Sequence, residues 1–367
     1  MARQNRIQQA LALGQSMWCD FLSRDLLHSG GLDRMIELGV RGVTTNPSIF
    51  ENAIARTSDY DTDVQAMVHE KKTVEEIYTA LTIADVQEGA DRFLPLYEAS
   101  CGGDGFVSLE VNPLLCHDEE GTVEEALRLF EQLDRKNVMI KIPATPAGMG
   151  AIHRCIALGV NINATLIFSR AQYQRVAGAW ISGLEERAAS GKSVQGIASV
   201  ASLFVSRVDT AVDKLLEKTD GKELAGRIAV DNARAAYSDF EEIAASARWK
   251  TLAEKGALLQ RPLWASTGTK NPAFSPTLYV DSLIGPHTVN TLPPATLEAF
   301  LSSGEVALTV TSDTGGGAAR MARLPSFGID LDSVMDTLLQ EGLAAFEKAY
   351  RTLLEEIGKK GNLLSFK

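Results

Sequence analysis

Lys141 lies in the run KNVMIKIPAT, where Val138, Ile140 and Ile142 alternate with Met139 and Lys141. The alternation predicts a buried strand ended by Pro143, with the lysine near its carboxyl end. An ammonium in an apolar site is costly to keep charged, and the neutral amine that forms when it loses its proton can attack a carbonyl carbon. The chemistry this residue could do is imine formation. A lysine that snorkels to solvent, or one paired with a carboxylate, fits the same run. Its neighbours must decide between these readings.

The elements that would position it have a regular rhythm of short apolar runs between longer amphipathic stretches. Strands are predicted over 16–21, 42–46, 106–111, 138–142, 160–166, 196–204, 263–266 and 278–284, and helices over 32–38, 122–133, 147–158, 170–189 and 207–217. Eight strands, most of them followed by a helix, in 367 residues imply an α/β fold, a closed (β/α)8 TIM barrel rather than an open sheet. Additional helical insertions are expected near 51–100 and 221–258, with a long C-terminal helix over 335–357. No repeat, low-complexity tract or Pro/Gly/Ser linker marks a boundary, so residues 1–367 are expected to form a single domain.

In such a barrel the carboxyl ends of the strands meet at one mouth. Reactive groups recur there: Asp20 in MWCDFLSR, Thr44, Thr45, Asn46 and Ser48 in TTNPS, Glu110 in VSLEVNP, Lys141 itself, Asn163 and Thr165 in NINATLIFS, Ser202 and Arg207 in VASLFVSRVD, and Ser266, Thr267 and Lys270 in WASTGTKNP. Each has a structural alternative. Asp20 could cap the next helix, Asn46 could shape the turn before Pro47, and Arg207 could pair with Asp209 or another carboxylate on the surface. Asn163 and Thr165 share a face, which suits a ligand or an internal network. Glu110 on an apolar strand needs a partner or a task. Cys19, next to Asp20, would point away from it and pack.

Composition narrows the classes. A net charge of −11 argues against an electrostatic nucleic-acid surface while allowing a local basic pocket for a small anion. The four cysteines show no CxxC spacing and the five histidines no HxH or HxxxH pair, so metal chemistry has no support in the sequence. No apolar run is long enough to span a membrane, and the first residues, MARQNRIQQALALG, carry no signal-like apolar core. A reducing cytoplasm is the expected location.

Taken together, the stretches WCDFLSR, GVTTNPSIF, FVSLEVNP, MIKIPAT, NATLIFSRAQ, ASLFVSRVD, PLWASTGTKNP and TLYVDSLIGPHTVNTLPP resemble those of the transaldolase family, in its longer bacterial form, over nearly the whole chain. The resemblance implies a class I aldolase-like barrel without cofactor that moves a dihydroxyacetone unit between ketose and aldose phosphates through a lysine Schiff base. Carried onto this chain, it makes Lys141 the nucleophile and Asp20 the base for the C4 hydroxyl. Glu110 and Thr165 would hold a proton-shuttling water. Asn46, Asn163 and Ser202 would hydrogen-bond the three-carbon fragment, and Arg207 would bind phosphate. The lysine must lose its proton to react, and a neighbouring cation and an apolar wall are expected to favour that. Where shorter members carry a second arginine this chain reads STGTKN, so Lys270 with Ser266 is the expected substitute. NATL and SLF stand where NLTL and SPF are commoner, with no reactive group lost.

Two other readings share many of these residues. A fructose 6-phosphate aldolase uses the same lysine chemistry but is much shorter and lacks the helical excursions. A barrel that only binds sugar phosphates would not need a nucleophile and two carboxylates. Nothing in the sequence distinguishes a monomer from a homodimer.

Overall fold

The computed structural model describes residues 4–364. Eight parallel strands close into a barrel in chain order: β1 Gln15–Cys19, β2 Gly42–Thr44, β3 Phe106–Glu110, β4 Val138–Pro143, β5 Ile162–Ile167, β6 Ser199–Phe204, β7 Arg261–Ala265 and β8 Thr288–Leu292. Closure is made by β8 against β1, in register from Gln15↔Thr288 to Cys19↔Leu292. All but one of the strand residues are buried, Arg261 being partly exposed. A parallel sheet wrapped in helices buries both faces, which is why the strands read as near-continuous apolar runs.

Inward positions alternate along each strand. β1 sends Trp18 into the barrel, and β2 makes room for it with Gly42, where a Cβ would stand 2.7 Å from the indole ring. At the amino-terminal end of the barrel, Asp104 Oδ2 accepts hydrogen bonds from Ser16 (2.8 Å) and Arg41 Nε (3.1 Å), and Oδ1 from Arg261 Nη2 (2.9 Å) and Trp18 Nε1 (3.4 Å). This buried carboxylate, with two guanidiniums, closes the floor.

One expectation fails. Residues 278–284 are not the eighth strand: Leu278–Asp281 is a single helical turn, and the strand is the following TVNTL. The apolar run in TLYVDSLIG is apolar because it packs on the core, whereas β8 carries buried Thr288, Asn290 and Thr291, whose polarity hides it from a search for apolar runs. The other strands fall where predicted, with ends shifted by up to three residues. Asp20, Asn46 and Ser266 therefore stand just past their strands rather than within them.

The stretch 51–100 holds a π-helical turn Glu51–Ala55, the helix Asp61–His69 and the 26-residue helix Val74–Ala99. The stretch 221–258 holds Ile228–Ala245 and Ala247–Ala253. The C-terminal helix, Leu331–Leu364, is 34 residues long and crosses the barrel mouth, touching β5 and the helices that follow β2 and β6. Lys360 anchors its far end, donating to Ile54 O (3.1 Å) and Thr57 O (2.5 Å) and pairing with Asp61.

Candidate active site

Pro143 ends β4 two residues beyond Lys141, and parallel register sets Glu110 beside Lys141 and Lys141 beside Asn163. Lys141 Nζ donates to the backbone oxygen of Thr45 at 3.1 Å and lies 3.4 Å from Glu110 Oε2. Above it stands the ring of Phe346 from the C-terminal helix, its centroid 5.6 Å from Nζ. The apolar wall foreseen in the sequence is present. The nearest charged group, however, is a carboxylate and not the expected cation, because β3 and β4 are adjacent strands in register.

Eight of the expected residues line one cavity of about 170 Å³: Asp20, Asn46, Lys141, Thr165, Ser202, Arg207, Ser266 and Lys270. Glu110 and Asn163 sit beneath it, touching those that do. The hydrogen bonds show which groups remain available. Thr44 Oγ1 donates to Asp20 Oδ1 at 2.6 Å, so Thr291 Oγ1, 2.7 Å away, donates to Thr44 in turn. Ser202 Oγ donates to Asn163 Oδ1 at 2.7 Å, and Asn163 Nδ2 donates to Ser108 Oγ at 3.1 Å. Asn46 Oδ1 caps the helix Pro47–Phe50, accepting from Ile49 N–H at 3.1 Å, and its Nδ2 has no hydrogen-bond partner among the described residues. Thr165 Oγ1 is buried with no hydrogen-bond partner among the described residues. It stands at a bulge, where β5 spans one residue more than β6 and Leu166 takes φ +56°.

Neither the helix cap suggested for Asp20 nor the Asp209 pair suggested for Arg207 is formed. The next helix is capped by Ser23, not Asp20. Asp209 turns away from Arg207 and accepts from Ala229 N–H at 2.7 Å. Arg207 lies over the Phe204 ring, 5.3 Å from its centroid.

Burial sets the electrostatics. Desolvation raises the Glu110 carboxyl to about 7, against the opposing pull of Lys141. It raises Asp20 as well, opposed by Lys141, the Thr44 hydrogen bond and Arg207. Burial lowers the pKa of Arg207, with Glu341 and then Asp20 opposing. Cys19 is buried and its thiol is pushed up to about 12, which makes it a packing residue. Among the described residues no group of three or more His, Cys, Asp or Glu side chains could hold a metal, and no helix is long and apolar enough to cross a membrane.

Thr44 also lines the cavity, as do Phe204, Thr291 and Phe346, which were not singled out in the sequence. Thr44 was visible in the run TTNPS, whereas Thr291 was lost with the misplaced strand. Phe346, some two hundred residues from Lys141, left no local signal.

An eight-stranded parallel barrel with a buried lysine and two carboxylates at its mouth is the architecture of an aldolase-like enzyme. The family described as transaldolase/fructose-6-phosphate aldolase matches residues 17–357. A transaldolase of Trichodesmium erythraeum is 44% identical over 370 residues, 97% of each chain. One from Thiobacillus denitrificans is 46% identical over 350 residues, 94% of this chain and 98% of its own. Transaldolase 1 of Streptomyces avermitilis is 47% identical over 349 residues, 94% and 92%. The chain belongs to the transaldolase/fructose-6-phosphate aldolase family.

Proposed function

We propose that this chain is a transaldolase that carries a dihydroxyacetone unit between sugar phosphates, interconverting sedoheptulose 7-phosphate plus glyceraldehyde 3-phosphate with erythrose 4-phosphate plus fructose 6-phosphate. The observation that carries the reading is Lys141 Nζ held 3.4 Å from a carboxylate whose pKa burial has raised to about 7. Such a carboxylate can take the ammonium proton within the site and release a neutral amine to attack the C2 carbonyl of the ketose. Addition gives a carbinolamine. Glu110, with the unpartnered Thr165 hydroxyl, positions a water that returns the proton to the departing hydroxide as the imine forms.

Asp20 is kept competent as a base by Thr44, Lys141 and Arg207, which favour its ionised form against burial. It takes the proton from the C4 hydroxyl, the C3–C4 bond breaks, and its electrons flow into the protonated imine. An aldose phosphate leaves and an enamine remains on Lys141. Asn46 Nδ2 donates to the retained fragment, and the Ser202 oxygen, its own proton engaged by Asn163, accepts from a fragment hydroxyl. Asn163 acts through Ser202 as a positioning residue. Phe346 and Phe204 limit water at the enamine, which favours transfer to a second aldehyde over hydrolysis. Arg207, Lys270 and Ser266 face the phosphate.

The near-full-length likeness to transaldolases favours transfer over simple aldol cleavage. The test is borohydride trapping with fructose 6-phosphate, with and without erythrose 4-phosphate, followed by peptide mapping. A three-carbon adduct on Lys141 that diminishes with acceptor is expected. An adduct indifferent to acceptor, with free dihydroxyacetone released, would favour the aldolase, and no adduct on any lysine would end the enzymatic reading.

A further inference from the structure

A groove of about 730 Å³ runs outward from the mouth between the helix Ser206–Leu216 and the C-terminal helix. It is continuous with the cavity around Lys141, since Arg207 and Lys270 line both. Lys214 stands further along it. Seven residues after Arg207, it falls on the same face of its helix, about 10 Å along the axis. Among the described residues none of Arg207, Lys214 and Lys270 is ion-paired with a carboxylate. Elsewhere on the barrel Arg170 and Arg248 are tied bidentately to Asp239 and Glu185. Among the described residues one carboxylate, Glu341, lines the groove against these three cations.

We infer that this groove is an outer docking site for the phosphate ester of an incoming sugar, with Lys214 as its anchor. The inference rests on the reading of the chain as acting on sugar phosphates. A chain of net charge −11 repels a phosphate dianion at long range, so a lane of unpaired cations leading to the mouth changes the rate at which substrate arrives. The groove supplies charge and not a cradle: Thr210 and Thr337, on its two walls, donate their hydroxyl protons to Ser206 O and Ser333 O. Docking there is consequently loose and passes the phosphate on to Arg207 and Lys270. Lys214 acts on capture and leaves the chemical steps at Lys141 alone.

The test compares Lys214→Glu with Lys192→Glu, which makes the same charge change in the loop before β6, at the opposite end of the barrel. At low ionic strength Lys214→Glu should lower kcat/KM for fructose 6-phosphate about tenfold, chiefly through KM. The loss should shrink severalfold at roughly 0.5 M salt. Lys192→Glu should change kcat/KM less than about twofold, and Lys214→Arg should restore it. With sedoheptulose 7-phosphate as donor and D-glyceraldehyde replacing glyceraldehyde 3-phosphate as acceptor, the acceptor KM should be the same in Lys214→Glu and wild type. Equal kcat/KM in wild type and Lys214→Glu at low salt would overturn the inference, as would equal losses for the two acceptors. A wild-type protein that transfers nothing would instead overturn the transaldolase reading. Calorimetric binding of fructose 6-phosphate, with Lys141→Ala in both proteins so that no imine forms, then reads the same contrast without turnover: weaker binding with Lys214→Glu supports the groove, and equal binding rejects it.

Discussion

The two ends of this barrel use the same residue types for opposite purposes. At the floor, Asp104 accepts from Ser16, Trp18, Arg41 and Arg261, so its charge is matched and its lone pairs are occupied. At the mouth, Glu110 has Lys141 at a long 3.4 Å, Thr165 has no partner among the described residues, and Arg207 is held over an aromatic ring instead of a carboxylate. A satisfied buried charge fixes geometry, while an under-satisfied one is ready to exchange a proton or meet a ligand. The difference lies in partner count, and it separates a structural end from a reactive one.

The sharpest way to break that contrast is Glu110→Gln. The substituted amide can still sit against Lys141 but cannot take its proton, and turnover should fall about 100-fold. The pH profile should change with it. In wild type the carboxylate must be ionised to accept a proton, so kcat/KM should rise as pH increases through about 7, the range to which burial has moved this group. In Glu110→Gln that limb should vanish. A variant with wild-type turnover and an unchanged profile would place Glu110 with Asp104 as a fixture of the scaffold. The reverse substitution is Asp104→Ala, which leaves two largely buried guanidiniums unpaired and should cost about 3 kcal/mol of stability. Thermal unfolding checks this against kcat measured well below the transition, which should be unaltered. A loss of kcat with no loss of stability would mean that the floor takes part in the chemistry.

Most of the reactive end was legible in the sequence because it interrupts a pattern. Lys141 and Glu110 each break an apolar strand, and parallel pairing then brings them side by side. The parts that were hidden break no pattern. Thr291 belongs to a strand whose buried polar residues are matched across the barrel wall, Thr288 by Gln15, Asn290 by Thr267 and Thr291 by Thr44, so no local hydrophobic signal announces it. Phe346 reads as one more apolar residue on an amphipathic helix, and periodicity cannot say that its face covers a lysine. The groove that carries Lys214 is formed by helices more than a hundred residues apart. The charge of each residue was visible; that three cations would lie together, none ion-paired with a carboxylate among the described residues, was a property of the packing.

Asp209 tests whether partner count, and not position at the mouth, is what makes a buried carboxylate labile. It lies on the barrel's flank, two residues past Arg207, and is buried between its own helix and the start of Ile228–Ala245. Burial raises its pKa to about 7, opposed by the hydrogen bond from Ala229 N–H at 2.7 Å. The unfolded chain releases this proton near pH ~4. Between about pH 4 and 7 the folded protein therefore binds a proton that the unfolded chain has lost, and stability must fall as pH rises through that window. Glu110 adds to the fall in the same direction. Asp209→Asn stays neutral throughout and can keep the acceptor for Ala229, so its drop in Tm from about pH 4.5 to 7.5 should be about 3 °C smaller than that of wild type, measured by circular dichroism. An unchanged slope would show that Asp209 is already ionised in the folded protein at low pH, and that burial without a cation does not suffice to make a carboxylate in this barrel hold its proton.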